Sequence, residues 1–284
     1  MTAPERSLSR GVVTRYAIGS IGTGGFATLP GLVLVFYLTD TLGVTALIRA
    51  ELLKLRTLRS PAWAAAALLV ITVLTGTLAM GDAGEKGYRT PTELRETVIA
   101  IGYMAVFFMV VLGAVAAAGE YRHRTISQRF LISPDRGRVL AAKLAAFGLV
   151  GFITALFVTV LGGGLAELVV SSKGYTLDLA DGGLRIAAGA GLAGALAGML
   201  GVVAGFLTRN PTTAMVAIFG TWIGEKIVGG WLGAGGRFLP YTLVENVLGL
   251  PAALSFGAAA AALVAVTAAL ALVARRVVVP RDVT

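Results

Sequence analysis

The chain has 284 residues, of which 56% are hydrophobic and 14% are charged, and its mean hydropathy is +0.83, whereas about a quarter of an average soluble domain is charged. It contains no cysteine and one histidine, His123, which excludes disulfides, thiolate metal sites and cysteine nucleophiles and leaves little for a histidine metal site. The net charge of +9 would suggest a nucleic-acid partner in a soluble protein, but the cytoplasmic loops of membrane proteins also accumulate Lys and Arg. We therefore expect an all-α membrane protein with no cofactor and no nucleic-acid partner.

The first apolar segment, residues 16–38, is rich in glycine and contains Pro30. Basic residues lie on both sides of it, so both flanks favour the cytoplasm, and a single span cannot satisfy both. Three explanations stay open: the N-terminus lies outside, the segment is re-entrant, or it is an appended piece. The segment is too long for a standard signal peptide and lacks an obvious small-residue cleavage site.

Residues 46–60 combine leucines at near-helical spacing with basic residues between them. The leucines are Leu47, Leu52, Leu55 and Leu58, and the basic residues are Arg49, Lys54, Arg56 and Arg59. This pattern predicts a basic amphipathic helix at the membrane surface, with its Lys and Arg side chains near lipid phosphates. Pro61 then permits a turn, because the residue before a proline disfavours helix. The alternative is an ordinary basic anchor with no further role.

Six further stretches have the roughly 20 apolar residues that a helix needs to cross a bilayer. They cover residues 61–81, 97–119, 139–166, 184–207, 212–230 and 251–274. Fourteen basic residues lie in the segment before this unit, in its alternate loops and in the C-terminal tail, against seven in the opposite loops. Because Lys and Arg accumulate inside, both ends of the six-helix unit are predicted to be cytoplasmic. Small residues at steps of three or four, such as Gly194 and Gly198, favour close helix packing.

The connection at residues 119–143 is the longest and most basic of the predicted cytoplasmic loops. Ile126, Phe130 and Leu131 could share one apolar face of a short helix, which Ser133 and Pro134 would end. Such a helix, with an apolar face and a basic rim, could dock into a groove on a cytoplasmic partner. The alternative is a solvated, positively charged loop.

Two stretches carry a family resemblance: LIRAELLKLRTLRSPAW from residue 47 and GEYRHRTISQRFLISPDRGRVLAAKLAA from residue 119. They resemble the permease subunits of type-2 ABC exporters, and the resemblance extends over residues 46–284. It is carried by Glu51, Lys54, Glu120, residues 133–138 and Lys143, and later by Glu225 and residues 237–240. The resemblance implies an interfacial elbow helix with Arg49, Glu51, Lys54, Arg56 and Arg59. It also implies a coupling helix that contacts an ATPase through Ile126, Arg129, Phe130 and Leu131.

The same resemblance implies re-entrant helices at residues 231–250, on the outer side of the membrane. Glu225 would then pair with Arg237 or cap that segment, which is a structural role rather than a contact with the transported molecule. The chain contains no GxxxxGK[ST] phosphate-binding loop, so a transporter of this kind needs a separate ABC ATP-binding subunit. A homodimer, or a heterodimer with a second permease, in the cytoplasmic membrane is the expected assembly.

A second resemblance covers residues 9–44, which include RYAIGSIGTGGFATLPGLVLVFYLTDTLGV. This run resembles the first helix of a sugar:cation symporter of the major facilitator superfamily, but the rest of that fold is missing and no symporter activity is inferred. We therefore divide the chain into an appended segment, 1–45, and a permease domain, 46–284. The alternatives to an exporter permease are a non-transporting scaffold or sensor of the same fold and an inactive fusion product. Stimulation of a partner ATPase would separate these possibilities, whereas the transported molecule cannot be read from the sequence.

Overall fold

The computed structural model describes residues 44–57, 59–81, 91–123, 136–174, 182–250 and 254–278, and within these ranges every regular element is a helix. The α-helices are α1 (Val44–Thr57), α2 (Arg59–Gly81), α3 (Pro91–Arg122), α4 (Arg136–Ser172), α5 (Gly183–Thr208), α6 (Pro211–Val228), α7 (Pro240–Leu248) and α8 (Phe256–Val278), and a 3₁₀ turn covers Gly233–Phe238. A helix therefore lies at each of the six predicted apolar stretches. The predicted segment 16–38 lies outside the described residues.

Four of these helices are long and apolar enough to cross a membrane: Arg95–Arg122, Arg136–Ser172, Gly183–Thr208 and Phe256–Val277. The corresponding apolar stretch of α2, Trp63–Thr75, is shorter. In α6 the charged residues Glu225 and Lys226 lie in the last turn of an 18-residue helix that ends at Val228. Large apolar side chains on both helices are exposed, including Leu78 and Val216, as expected for surfaces that face lipid or another apolar partner.

Helix α5 lies at the centre of the bundle and uses glycines to approach its neighbours. A Cβ atom added at Gly201 would lie only 2.1 Å from the carbonyl oxygen of Val110 on α3. One added at Gly151 on α4 would lie 2.1 Å from the carbonyl oxygen of Gly194. Such distances exclude any side chain, so the close packing predicted from the small-residue steps is confirmed.

The connection between α5 and α6 is a two-residue turn. Arg209 adopts a left-handed conformation with φ of 56°, and its backbone N–H donates to the carbonyl of Gly205. Asn210 begins the next helix, because its side chain accepts a hydrogen bond of 2.9 Å from Thr212 N. Pro211 follows at the first helical position, where its missing N–H costs nothing. The tight turn holds the ends of α5 and α6 together.

Candidate coupling site at the elbow helix

The predicted elbow is helix α1, and its two faces differ as an amphipathic helix requires. Leu47 and Ala50 are buried, whereas Arg49 and Arg56 are exposed. Glu51 lies one turn after Leu47 and therefore on the same face, and it is buried as well. An acidic side chain on the buried face needs a compensating cation, because an unpaired buried charge is costly.

Lys143 of α4 supplies that cation. Its side chain is 1% exposed, and its Nζ lies 2.8 Å from Glu51 Oε2 and 2.9 Å from Glu120 Oε1. The apolar part of the surroundings includes Phe147, whose ring centroid is 5.9 Å from the same Nζ. One ammonium group therefore holds carboxylates from two other helices, α1 and α3.

Lys54 completes the group from the more exposed side. Its Nζ lies 3.1 Å from Glu120 Oε1, and its side chain is 37% exposed. Lys54 is one of the basic residues predicted to lie near lipid phosphates. In the structure it pairs with Glu120 instead. We call Glu51, Lys54, Glu120 and Lys143 the ionic cluster. Its two carboxylates and two ammonium groups balance in charge, which lowers the cost of burying them.

The ionic cluster connects α1 to both sides of the predicted coupling loop. Both helices extend into the predicted loop 119–143: Glu120 lies near the end of α3, which ends at Arg122, and Lys143 lies two turns into α4, which begins at Arg136. The same end of the bundle contains Arg209, whose guanidinium lies 5.6 Å from the ring centroid of Tyr121. Displacing either side of the loop would therefore move charges that are bonded to α1.

The remaining predicted coupling residues are only partly described. Arg59 begins α2, but the environment of its side chain lies outside the described part of the chain. Ile126, Arg129, Phe130 and Leu131 also lie outside the described residues, so their proposed contact with an ATPase stays a prediction. The sequence did carry one signal for the ionic cluster: Lys143 falls inside the predicted span 139–166, and a charge within a span marks a specific role.

A comparison with protein-family models matches residues 47–224 to the family described as ABC-2 family transporter protein. The chain belongs to the ABC-2 transporter family. The matched residues include all four members of the ionic cluster, whereas residues 9–44, Glu225 and Arg237 lie outside them. No curated protein matches the chain in a sequence search. The chain is thus a membrane permease of an ABC transporter, and the family, whose members are transport components, implies an ATP-binding partner.

The opposite end of the permease contains Glu225, which caps helix α7. Its Oε2 accepts hydrogen bonds from Tyr241 N at 2.9 Å and from Thr242 N at 3.4 Å. These are two of the N–H groups that a helix N-terminus leaves without intrahelical partners. An ion pair between Lys226 and Glu245 joins α6 to α7 a second time.

Arg237 lies in the 3₁₀ turn and makes different contacts from Glu225. Its Nε donates to the carbonyl of Ala234 at 2.7 Å, and its guanidinium lies 5.7 Å from the ring centroid of Phe238. Of the two expected arrangements, the structure places Glu225 at the α7 N-terminus and not against Arg237. The Tyr241 hydroxyl donates to the carbonyl of Ile218 at 3.1 Å. Burial raises the pKa of Tyr241 above its ordinary value.

Proposed function

We propose that this permease exports its cargo across the cytoplasmic membrane, driven by a separate ATP-binding subunit that docks on loop 119–143 and on α1. The observation that supports the proposal best is the ionic cluster, because it joins α1 to both sides of that loop. Two copies of the permease, or one copy with a second permease, would enclose the transport pathway. The excess of basic residues in loop 119–143 and in the tail supports a cytoplasmic location for both.

The ionic cluster gives a physical route for the coupling. An ion pair buried at 2.8–2.9 Å cannot lengthen without exposing a charge to an apolar environment. When a closing ATPase pushes on the loop, the end of α3 and the start of α4 move, and Glu120 and Lys143 move with them. Glu51 must follow Lys143, so α1 shifts with the loop. In this way a force that the ATPase applies to the cytoplasmic loop tilts α1, α3 and α4 together.

Phe130 is the side chain on which the docking can be tested. It is the largest apolar residue of the loop, and an aromatic anchor buried in a partner groove contributes about 2 kcal/mol or more to binding. We expect Phe130→Ala to weaken association with the ATP-binding subunit by about tenfold or more. The measurement is a titration of the ATP-binding subunit that co-purifies with the full chain, followed both by binding and by stimulation of ATP hydrolysis.

The matched control is Arg129→Ala in the same loop. A charge at the rim of an interface acts mainly on the encounter rate, so this variant should lose less affinity and lose it mainly at low salt. Normal binding by a folded Phe130→Ala chain would show that the loop is only a solvated connection. A permease that binds no ATP-binding subunit and stimulates no hydrolysis would favour the scaffold or fusion-product alternatives.

A further inference from the structure

The turn between α6 and α7 carries the most exposed tryptophan of the described residues. Trp231 is 89% exposed, and four large apolar neighbours, Ile227, Val228, Leu232 and Phe238, are each at least 47% exposed. We call these five residues the apolar patch. A group of large apolar side chains is unfavourable in water, so the patch indicates a surface that contacts an apolar partner.

The turn that presents the apolar patch is tightly packed on the end of α6. A Cβ atom added at Gly236 would lie 2.4 Å from the carbonyl oxygen of Gly229. Gly233 has φ of 52°, a left-handed conformation that glycine adopts without strain. The backbone N–H of Trp231 donates to the carbonyl of Val228 at 2.9 Å. The turn therefore has a defined backbone, and this backbone leaves Trp231 at the surface.

The register of α6 on α3 places the apolar patch near the end of the apolar bundle. Trp222 of α6 donates a hydrogen bond of 3.1 Å to Tyr103 of α3, so the two residues lie at about the same level. The helices run in opposite directions, because α6 begins beside the last turn of α3. From Trp222 to Val228 the chain rises about 9 Å, and from Tyr103 back to Arg95 it rises about 12 Å. Arg95 begins the apolar part of α3, so Trp231, just beyond Val228, lies near the level at which that part ends.

The charge of the turn fits the surface of a membrane. Residues 229–239 contain one charged side chain, Arg237, whose guanidinium lies 5.7 Å from the ring centroid of Phe238. Tryptophan is enriched at the headgroup level of bilayers, because its ring is apolar and its N–H is polar, and arginine binds phosphate well. Against a protein partner, by contrast, burying Arg237 would require a carboxylate from that partner.

We propose that the apolar patch inserts into the boundary between the headgroups and the acyl chains of the bilayer, with Arg237 at the lipid phosphates. The α6–α7 turn then anchors the permease in the membrane at the end opposite the ionic cluster. This anchor sets the depth at which α6 ends and α7 returns to the bundle, where Leu248 Cδ2 lies 3.6 Å from a Cβ atom added at Gly102. The proposal requires a membrane location and depends on neither transport nor an ATPase.

The fluorescence of Trp231 tests the insertion directly. The chain has three tryptophans, Trp63, Trp222 and Trp231, so Trp63→Phe with Trp222→Phe leaves the signal of Trp231 alone. The full chain is placed in phosphatidylcholine vesicles whose lipids carry bromine either near the headgroup or near the end of the acyl chains. Bromine near the headgroup should quench most of the Trp231 fluorescence. Deep bromine should quench less, and so should acrylamide in the water.

The matched control keeps Trp222 alone, through Trp63→Phe with Trp231→Phe. Trp222 is half-buried and bonded to Tyr103, so every quencher should act on it more weakly. Strong quenching of Trp231 by acrylamide would overturn the proposal in favour of a turn in water. Protection from acrylamide and from both brominated lipids would overturn it in favour of a protein partner, such as a second permease. Strongest quenching by deep bromine would also contradict it.

Two further comparisons use variants of the same turn. The difference in quenching between wild type and Trp231→Phe isolates the signal of Trp231 in a chain that keeps the hydrogen bond between Trp222 and Tyr103. Arg237→Glu in the single-tryptophan chain places a carboxylate near the lipid phosphates and should increase quenching by acrylamide, which is uncharged. Equal acrylamide quenching with and without Arg237→Glu would contradict the contact between Arg237 and phosphate.

Discussion

The ammonium group of Lys143 lies 2.8 Å from the carboxylate of Glu51, although 92 positions separate the two residues in the chain. Both side chains are almost fully shielded from solvent, at 1% and 8% exposure. Because Lys143 also binds Glu120, one cation is shared by carboxylates of two helices. Three helices therefore depend on one side chain for their electrostatic balance, and removing that side chain is the most informative single substitution.

Lys143→Met should destabilise the permease strongly. The substitution keeps the length of the side chain but leaves Glu51 and Glu120 buried without their shared cation, a loss of about 3–5 kcal/mol for a broken buried pair. The measurement is the unfolding midpoint in detergent. Lys54→Met serves as the control, because this lysine is more exposed and a surface pair contributes only about 0–1 kcal/mol.

A triple variant separates the charge effect from a packing effect. Replacing Glu51 and Glu120 by leucine together with Lys143→Met removes all three buried charges, and apolar replacement of a whole buried ion group is often neutral or stabilising. The triple variant should therefore be more stable than Lys143→Met alone. Equal midpoints for wild type and Lys143→Met would contradict a stabilising role of the ionic cluster.

Gly201→Ala should loosen the centre of the bundle. The added methyl group would lie 2.1 Å from the carbonyl oxygen of Val110, so α5 and α3 would have to move apart. Overpacking of this kind costs about 1–3 kcal/mol. Gly220→Ala on α6 is the control, because nothing lies within 4 Å of its added Cβ. If Gly220→Ala lowered the unfolding midpoint as much as Gly201→Ala, close packing would not explain the loss.

Glu225→Ala should weaken α7 locally. The substitution leaves the N–H groups of Tyr241 and Thr242 without the acceptor that now caps them, and loss of a cap costs about 0.5–2 kcal/mol. The hydrogen-exchange rates of the first α7 amides should rise as the stability of this helix end falls. Lys226→Ala removes only the more exposed ion pair with Glu245 and should change these rates less. Unchanged exchange in Glu225→Ala would show that another group caps the helix.

The orientation of the permease is open to cysteine labelling, since any introduced thiol is unique. A membrane-impermeant maleimide should label Lys86→Cys in intact cells. Lys86 lies between the predicted spans 61–81 and 97–119, and the charge distribution predicts that this connection is external. Ser133→Cys should react only after the membrane is permeabilised. Labelling of Ser133→Cys from outside would reverse the orientation and with it the proposed docking side.

The sequence predicted the positions of the helices well because a helix in lipid must satisfy its backbone with its own hydrogen bonds and therefore needs a continuous apolar stretch. It predicted their ends less well. Helix α3 begins at Pro91 and α4 ends at Ser172. The predicted apolar stretches, by contrast, begin at residue 97 in α3 and end at residue 166 in α4. The polar residues in between, Arg95 and Glu167 among them, interrupt the apolar pattern but not the helical hydrogen bonding.

The ionic cluster could be predicted only in parts. Glu51, Lys54, Glu120 and Lys143 each contributed to the family resemblance, but no local pattern says which charges meet across 23, 66 or 92 positions. Pairing at that range follows from the register of the packed helices. That register depends on the glycines of α5 and α4, whose contacts only the folded structure reveals.

The burial of Lys143 also imposes an order on the assembly of the permease during synthesis. Glu51 and Glu120 leave the ribosome before Lys143 does, because the chain is made from its N-terminus. Until Lys143 arrives, bringing α1 to the end of α3 would place two carboxylates together with only the more exposed Lys54 to offset them, so burying both carboxylates is unfavourable. The cation on α4 then allows both carboxylates to be buried. Helix α1 is synthesised before α2, α3 and α4, yet we expect it to pack fully only after α4 has been made.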